Sequence, residues 1–495
     1  MESDIKEFYS NKNVLITGAT GLFGKVLIQK LIREIEDIGS LFLMIRPKES
    51  KTVDERKDEI FNDVVFDKMK EKVPQFFNKI EFINGDVSKK NLGLTDKDRN
   101  IIKENIHVVF HCAASMNMDE KLKLAVETNV RGLQELIQLS QEMTNLKSIL
   151  IVSTAYSNCI YQVIEEKFYE TPIEPEALIK FAEGASENIL DNITTSLIGN
   201  WGNVYCFTKA VAEDLLYKNG KNLPIGMFRP SIVMPMYEDP YPGWTSNVYG
   251  PVGVMMGAGM GILRVFLTST LLQCDLVPVD YCINALICAA LETSKQKYKE
   301  NASPMPIFNY AGGVKRNISW KQLKEFSKEY KYPLKDALWP TIILHIKNKY
   351  AFYILWFILH TIPGCLIDSF LILSRKKPKM LKTYKKIWKF CNVLSFFSTR
   401  EWNIINENVN ALWQNLKTAD KALFPFDMDK VNYKKLILDT CTGLKIYILK
   451  EGLHNVKYER NRYKRLLFIH KTLMYMLQLG AAFILYVIIK KLFMQ

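Results

Sequence analysis

The chain has 495 residues, 48% of them hydrophobic and 24% charged, and a formal net charge of +14. That length exceeds what one core usually organises, so about two domains with appendages are expected. Nine cysteines without a Cys-x-x-Cys pair, and six histidines without metal-ligand spacing, argue against a disulfide framework and give no ground for a metal.

The cysteine pattern points to a reducing compartment for the catalytic part, and the N-terminal run Met1 to Glu7 is charged and lacks the apolar core of a secretory signal. Asn13 to Thr17 predicts a first strand, followed by the turn Thr17-Gly-Ala-Thr-Gly-Leu-Phe-Gly24 and a helix from Lys25 to Glu36. Further strands are predicted at Leu41 to Ile45, Ile80 to Ile83, His107 to His111 and Ser148 to Val152. Five strands alternating with amphipathic stretches make an α/β fold with a doubly wound parallel sheet. Residues 160 to 200 read as an acidic, turn-rich insert, and the segment from Pro240 to Gly261 as a long loop region. Beyond about residue 320 the composition predicts a mainly helical domain, over 321–450, behind a sheet domain over 1–320.

Two later segments are apolar. Residues 472–489 are uncharged and bracketed by Lys471 and Lys490-Lys491, close to the 17 to 25 residues that a bilayer span takes. Lys445, Lys450, Lys457, Arg460, Arg462, Lys464, Arg465 and Lys471 precede that run. Basic charge ahead of an apolar segment favours a lipid membrane over nucleic acid and puts the large domain on the cytosolic side. The stretch Tyr350 to Leu373 carries His360, Pro363-Gly364 and Asp368, and predicts a helical hairpin buried in protein or lying on a membrane surface.

The glycine turn follows a predicted strand and opens a predicted helix, the context in which such a turn binds a dinucleotide. Gly18 permits the turn, Gly21 lets the backbone approach a pyrophosphate, and Gly24 allows close helix packing. Thr20, Leu22 and Phe23 complete the phosphate loop. At the end of the second strand, where an acidic residue would bind the ribose of NAD, stand Arg46 and Lys48, which favour the 2′-phosphate of NADPH. Asp86 and Val87 follow the third strand toward the adenine edge, and the small Ala113 and Ala114 follow the fourth.

Tyr205 and Lys209 are four residues apart, which places phenol and ammonium on one helix face. The same spacing recurs at Tyr217 with Lys221, beside the helix-ending Asn219-Gly220, and at Tyr486 with Lys490 in the apolar tail, both expected to be peripheral. Ser153 and Thr154 come directly after the fifth strand, at the carboxyl edge where open sheets hold their ligands. There a hydroxyl can bond a carbonyl oxygen while Tyr205 protonates it. Lys209 is expected to hold the nicotinamide ribose and to lower the phenol pKa from about 10.

With Val152-Ser-Thr-Ala-Tyr156 and Tyr205-Cys-Phe-Thr-Lys209, the chain resembles an extended short-chain dehydrogenase/reductase with a Rossmann sheet. Further stretches narrow this: Ile45-Arg-Pro-Lys48, Leu92-Gly-Leu94, Phe110-His-Cys-Ala-Ala114, Glu165-Glu166, Phe228-Arg-Pro-Ser-Ile-Val233, Pro242-Gly-Trp244 and Pro278-Val-Asp280. Together they resemble the alcohol-forming fatty acyl-CoA reductases of animals and insects, over nearly the whole chain. The likeness implies reduction of a long-chain acyl-CoA to a primary alcohol with two NADPH, through an aldehyde, with release of CoA. It implies Tyr205 as proton donor, Lys209 as its partner, Thr154 or Ser153 as the carbonyl-binding hydroxyl, and Asn129 as support for the lysine. Pro230 and Val233 would lie beside the nicotinamide, and the helical domain would serve the acyl chain. It also implies an endoplasmic reticulum or peroxisomal membrane, and a homo-oligomer is compatible with it. Gly202-Asn203-Val204 stands where the family usually has Pro-Asn-Thr, and Trp244-Thr-Ser-Asn247 lacks the aspartate that usually follows the tryptophan. Two other readings share these features: a membrane-anchored sterol or hydroxysteroid dehydrogenase, and a non-catalytic NADPH-binding scaffold.

Overall fold

The computed structural model describes residues 3–46, 53–296, 305–313, 317–454 and 456–493. The chain forms two compact units that interleave in sequence. The first comprises Met1–Ser246, Leu272–Ser319 and Arg400–Leu436, and the second Asn247–Leu271, Trp320–Thr399 and Ile437–Gln495.

In the first unit, β1 (Val14–Thr17) leads through the glycine turn into α1 (Leu22–Glu34), and β2 (Leu41–Ile45), β3 (Ile80–Asn84) and β4 (Val108–His111) follow. After α2 (Gly132–Gln141) come β5 (Ser148–Val152), α3 (Pro175–Gly184), α4 (Glu187–Ile198), α5 (Val204–Asn219), β6 (Ile225–Pro230), α6 (Val279–Ser294) and β7 (Ile307–Tyr310). The seven strands are ordered β7-β6-β5-β4-β1-β2-β3 and every neighbouring pair is parallel. β1, β2, β4, β6 and β7 are buried at every position, as strands covered on both faces must be. The order reverses between β1 and β4, where Thr17 pairs with His111, so a crevice opens beyond those two carboxyl ends.

This sheet has two more strands than the apolar runs predict. β6 contains Gly226, Arg229 and Pro230, and β7 contains Asn309, so neither reads as an apolar run. Arg229 is fully buried because Glu213 and two carbonyls satisfy it, and Asn309 because its amide donates to the carbonyls of Ile164 and Ile405. The insert at 160 to 200 likewise carries α3 and α4 where turns were expected. Pro175 stands in the first turn of α3 and Ser186 caps α4, so residues read as turn formers act as helix starts.

In the second unit, the glycines after Tyr249 form a helix, Gly250–Gly259, and not a loop. Their absent side chains admit neighbours: a Cβ on Gly253 would fall 2.8 Å from the Phe390 ring, and one on Gly259 3.2 Å from Leu334. The expected hairpin within Tyr350 to Leu373 is one continuous helix, α7 (Lys349–Leu373), with a π-turn at Phe357–Thr361 ahead of Pro363. Proline at 363 denies the Leu359 carbonyl its i+4 donor, and the Arg264 guanidinium bonds that carbonyl at 3.1 Å instead. α8 (Met380–Ser398) packs on α7, and α9 (Val456–Phe493) runs through the apolar tail as one helix.

One member of the basic cluster is not a surface charge. Lys445 is fully buried, donating to Glu451 and Glu459 at 2.9 Å each and to the Pro333 carbonyl at 3.1 Å. Removing the lysine strands two buried carboxylates, and breaking such an arrangement costs about 3–5 kcal/mol. Lys445→Ala should therefore lower the thermal unfolding midpoint sharply and expose the second unit to limited proteolysis, whereas Lys464→Ala should change neither.

Candidate active site

The glycine turn is built for close approach. Gly18 sits at φ +71° with Ala113 so near that a Cβ would meet its amide nitrogen at 2.8 Å. A Cβ on Gly24 would fall 2.4 Å from the Gly18 carbonyl, so only glycine lets α1 pack onto the turn. Gly21 differs, because its backbone is extended (φ −80°, ψ 176°) and a Cβ there would meet nothing nearer than the Gly18 carbonyl at 3.3 Å. Thr20 and Gly21 are exposed, Leu22 and Phe23 half-buried, and Gly21 starts α1 without a side chain to cap it, leaving the first-turn N–H groups for an anion.

Around this turn, Thr17 Oγ1 accepts the Ala113 N–H at 3.2 Å and lies 2.9 Å from His111 Nδ1. Burial and the Lys209 charge push the His111 pKa down to about 3, so the ring stays neutral and can accept the Thr17 hydroxyl proton. Asp86 turns its carboxylate onto Ser88, accepting its N–H at 2.9 Å and its O–H at 2.8 Å, with Val87 buried behind it. Arg46 is exposed at the end of β2, and Lys48 lies outside the described residues. A cation the sequence reading missed stands beside it: buried Arg56 donates to the Arg46 carbonyl at 3.0 Å.

Past β5, the buried Thr154 hydroxyl and the half-buried Tyr205 phenol come close enough to interact. Asn203 caps α5 by accepting the Cys206 N–H at 2.8 Å, so the helix begins where Tyr205 faces Thr154 even with valine at 204. Lys209, one turn on, is buried and donates to the Val152 carbonyl at 2.9 Å. Burial lowers its pKa to about 8, against the pull of Glu213 and Cys112. Tyr205 does not titrate below its ordinary value as the spacing predicted. Burial pushes the phenol pKa up, Cys206 and Glu213 add to the rise, and the Thr154 hydroxyl offsets only part of it.

Asn129 lies in a π-turn over Glu127–Arg131, a distortion that often marks functional positions. Its carbonyl accepts the Ser115 N–H at 2.9 Å, and its amide donates to the Ser115 carbonyl at 3.2 Å and to Thr208 Oγ1 at 3.0 Å. It thus ties the segment after β4 to the residue before Lys209. Ser153 is held elsewhere, its hydroxyl donating to Glu213.

Glu213 was not read from sequence, though it lies one turn beyond Lys209 on the same face. Its carboxylate receives Arg229 through two nitrogens, at 2.6 and 3.1 Å, and Asn158 at 3.0 Å. Arg229 in turn donates to the carbonyls of Glu165 and Lys167 at 3.1 and 3.0 Å. Pro230 is buried at the end of β6 and Val233 is half-buried three residues on. Other motifs are brackets. Glu166 accepts the N–H groups of Asn309 and Asn408, burial pushing its pKa up to about 7. Asp280 accepts those of Tyr237, Glu238 and Asp239. Trp244 donates to Asp63 at 3.0 Å. Tyr217 is exposed, with the Lys221 ammonium 5.1 Å from its ring centre. A cavity of about 760 Å³ opens beside Met305 to Phe308, at the amino end of β7 and so across the sheet from the candidate residues.

Comparison with known proteins agrees with this architecture. Residues 16–286 match an NAD-binding family model described as Male sterility protein, and residues 359–451 match a second of that description. Fatty acyl-CoA reductase wat of Drosophila melanogaster is 38% identical over 491 residues, 99% of this chain and 94% of that one. The chain belongs to the fatty acyl-CoA reductase family. Human fatty acyl-CoA reductase 1 is 33% identical over 93% of this chain and 89% of its own. Among solved structures, the reductase domain of a nonribosomal peptide synthetase from Mycobacterium tuberculosis shares the fold, with a TM-score of 0.58 at 19% identity over 91% of this chain and 96% of that one. This family member is an oxidoreductase with a nicotinamide cofactor, and the glycine turn fits one because its cradle excludes a Cβ.

Gly21 and Gly24 separate ligand approach from folding. Gly21→Ala should leave the thermal midpoint nearly unchanged while weakening NAD(P)H binding at least tenfold in a fluorescence titration. Gly24→Ala should lose both.

Proposed function

We propose that the chain reduces long-chain fatty acyl-CoA to a primary alcohol, using two NADPH and passing through an aldehyde, with release of CoA. The observation that carries this reading is the meeting of the Thr154 hydroxyl and the Tyr205 phenol at the carboxyl edge of β5, with buried Lys209 one turn along α5. Bound NADPH would supply a hydride to the carbonyl carbon at each of the two reductions. Gly18, Thr20, Gly21, Leu22, Phe23 and Gly24 would hold its pyrophosphate, with Asp86, Val87, Ala113, Ala114, Pro230 and Val233 along its length. Arg46 would bind the 2′-phosphate, with Arg56 holding the Arg46 backbone in place.

Thr154 donates to the carbonyl oxygen and orients it toward the phenol. Tyr205 stays protonated at neutral pH because burial raises its pKa, so a proton is ready when charge develops on that oxygen. Lys209 brings the compensating positive charge, and Asn129 ties the Ser115 backbone to the hydroxyl of Thr208 next to it. Ser153 belongs to the Glu213 network, which leaves Thr154 as the carbonyl-binding hydroxyl.

α9 would anchor the enzyme in an endoplasmic reticulum or peroxisomal membrane with the sheet domain on the cytosolic side. Support comes from its exposed apolar length and from Lys457, Arg460, Arg462, Lys464 and Arg465 ahead of the apolar run.

Incubation of the detergent-solubilised protein with palmitoyl-CoA and NADPH should yield hexadecanol. Aldehyde as the end product, or no product, would overturn the full reaction. Tyr205→Phe should lower turnover roughly 10²- to 10⁴-fold, and Thr154→Val should cost more than Ser153→Ala. Full turnover in the phenylalanine variant would sink the acid assignment, and equal efficiency with NADH would remove the role given to Arg46.

The Lys209 pKa adds a pH signature. With the ammonium lost above about pH 8, kcat/KM should fall on a basic limb near that value. Glu213 holds the lysine charged, so Glu213→Gln should move that limb to lower pH, a shift that mere loss of stability would not produce.

A further inference from the structure

We infer that α7 is a membrane-surface helix that lies flat on anionic lipid, a contact separate from the α9 anchor and independent of the reductase reading. One face of α7 is committed to protein along its whole length. Phe352, Trp356, His360, Gly364 and Asp368 recur every four residues, and all are buried. The Phe352 ring stacks on Trp388 with centres 5.5 Å apart, and His360 meets Tyr384 edge-on at 5.2 Å. A Cβ on Gly364 would fall 3.0 Å from both Leu381 and Tyr384. At the far end, the Asp368 carboxylate accepts the N–H groups of Lys379, Met380 and Leu381 at 2.8–2.9 Å, capping α8. As the position on α7 rises, its partner on α8 falls, so the two helices are an antiparallel pair.

The other face of α7 is apolar and open. Ile354, Phe357, Leu366, Phe370 and Leu373 are 62, 56, 67, 69 and 84% exposed. A contiguous apolar surface of this kind marks an interaction site. Two observations identify the occupant. The turn joining α7 to α8 carries Arg375, Lys376, Lys377 and Lys379, all exposed, beside the most exposed leucine. Such a turn is complementary to anionic headgroups, whereas a second copy would bring like charges together. α8, locked against α7, exposes Lys382, Lys385 and Lys386 along its length. A spanning pair would carry those lysines into hydrocarbon, where a charged side chain is costly. Lying flat with the apolar face down satisfies both features, as for amphipathic helices buried about 5–10 Å into the interface.

Cys365 is the exposed cysteine among the nine, so a Cys365→Ser background lets single cysteines at Ile354 and Leu373 carry a nitroxide in the full-length protein. Their collision rates with oxygen and with a water-soluble nickel complex report depth after reconstitution into phosphatidylcholine vesicles with or without phosphatidylserine. A flat helix gives both labels similar, shallow depth, with several-fold protection from nickel that increases when phosphatidylserine is present. A spanning helix would separate the labels by up to about 28 Å of axial rise, and that gradient would overturn the inference. So would full nickel accessibility at both sites, or dipolar broadening that grows with protein concentration and marks a second copy on this face. Lys376→Glu with Lys377→Glu should abolish the phosphatidylserine effect, and persistence of that effect would remove the turn from the contact.

Discussion

The Glu213–Arg229 ion pair is the interaction on which the geometry of the candidate site depends. Both side chains are almost wholly removed from water, where two isolated charges would be severely destabilising. The pair is tolerable because its hydrogen-bonding capacity is filled: Ser153 and Asn158 donate to the carboxylate, and two carbonyls of the insert accept from the guanidinium. Each partner comes from a different part of the first unit, namely α5, β6, the end of β5 and the strand-like segment before α3. Replacing the pair by apolar residues keeps the core apolar, but it would release a link that fixes α5 against both strands at once. Its work is registry more than stability, since the Tyr205–Lys209 face must meet the carboxyl edge within a fraction of an ångström.

Burial at that edge acts on every titratable group in the same direction of neutrality. It drives Tyr205 up, Lys209 down to about 8, His111 down to about 3 and Cys112 up to about 12. Four groups within one dehydrated volume would otherwise compete to carry charge. Only the lysine stays close to the physiological range, and it does so because Glu213 lies one helical turn away. Spacing arguments that treat the lysine as a simple depressor of the phenol pKa omit this desolvation, which is why the expectation for Tyr205 came out with the wrong sign.

Much of the first unit was legible because its strands are uninterrupted apolar runs punctuated by glycine. β2 and β5 end where their runs end, at Ile45 and Val152. β6 and β7 were hidden by Arg229, Pro230 and Asn309, polar or ring-constrained residues whose burial is explained only by partners far away in sequence. The same logic separates the site residues. Tyr205, Lys209, Thr154 and the glycines announce themselves by local spacing, whereas Glu213 has no meaning until Arg229 is placed opposite it. Arg56 escaped for a similar reason, since the chain must fold back from the end of β2 before it can bond the Arg46 carbonyl. Glycines from 250 to 261 misled in the other direction: glycine marks loops, but in a packed helix it equally marks a neighbour that sits too close for a side chain.

A high phenol pKa is consistent with the acid role. In the proposed reaction, hydride addition to a carbonyl would generate an alkoxide, a stronger base than any phenolate, so the proton would move downhill from Tyr205 even with its pKa raised. What the site would have to prevent is early loss of that proton, and burial does so in the ground state by holding the phenol pKa up. In that proposal the lysine would meet the phenolate left behind, not create it beforehand. That division of labour requires Lys209 to remain charged while dehydrated, which brings the chemistry back to the carboxylate of Glu213 and to the arginine that holds it in place.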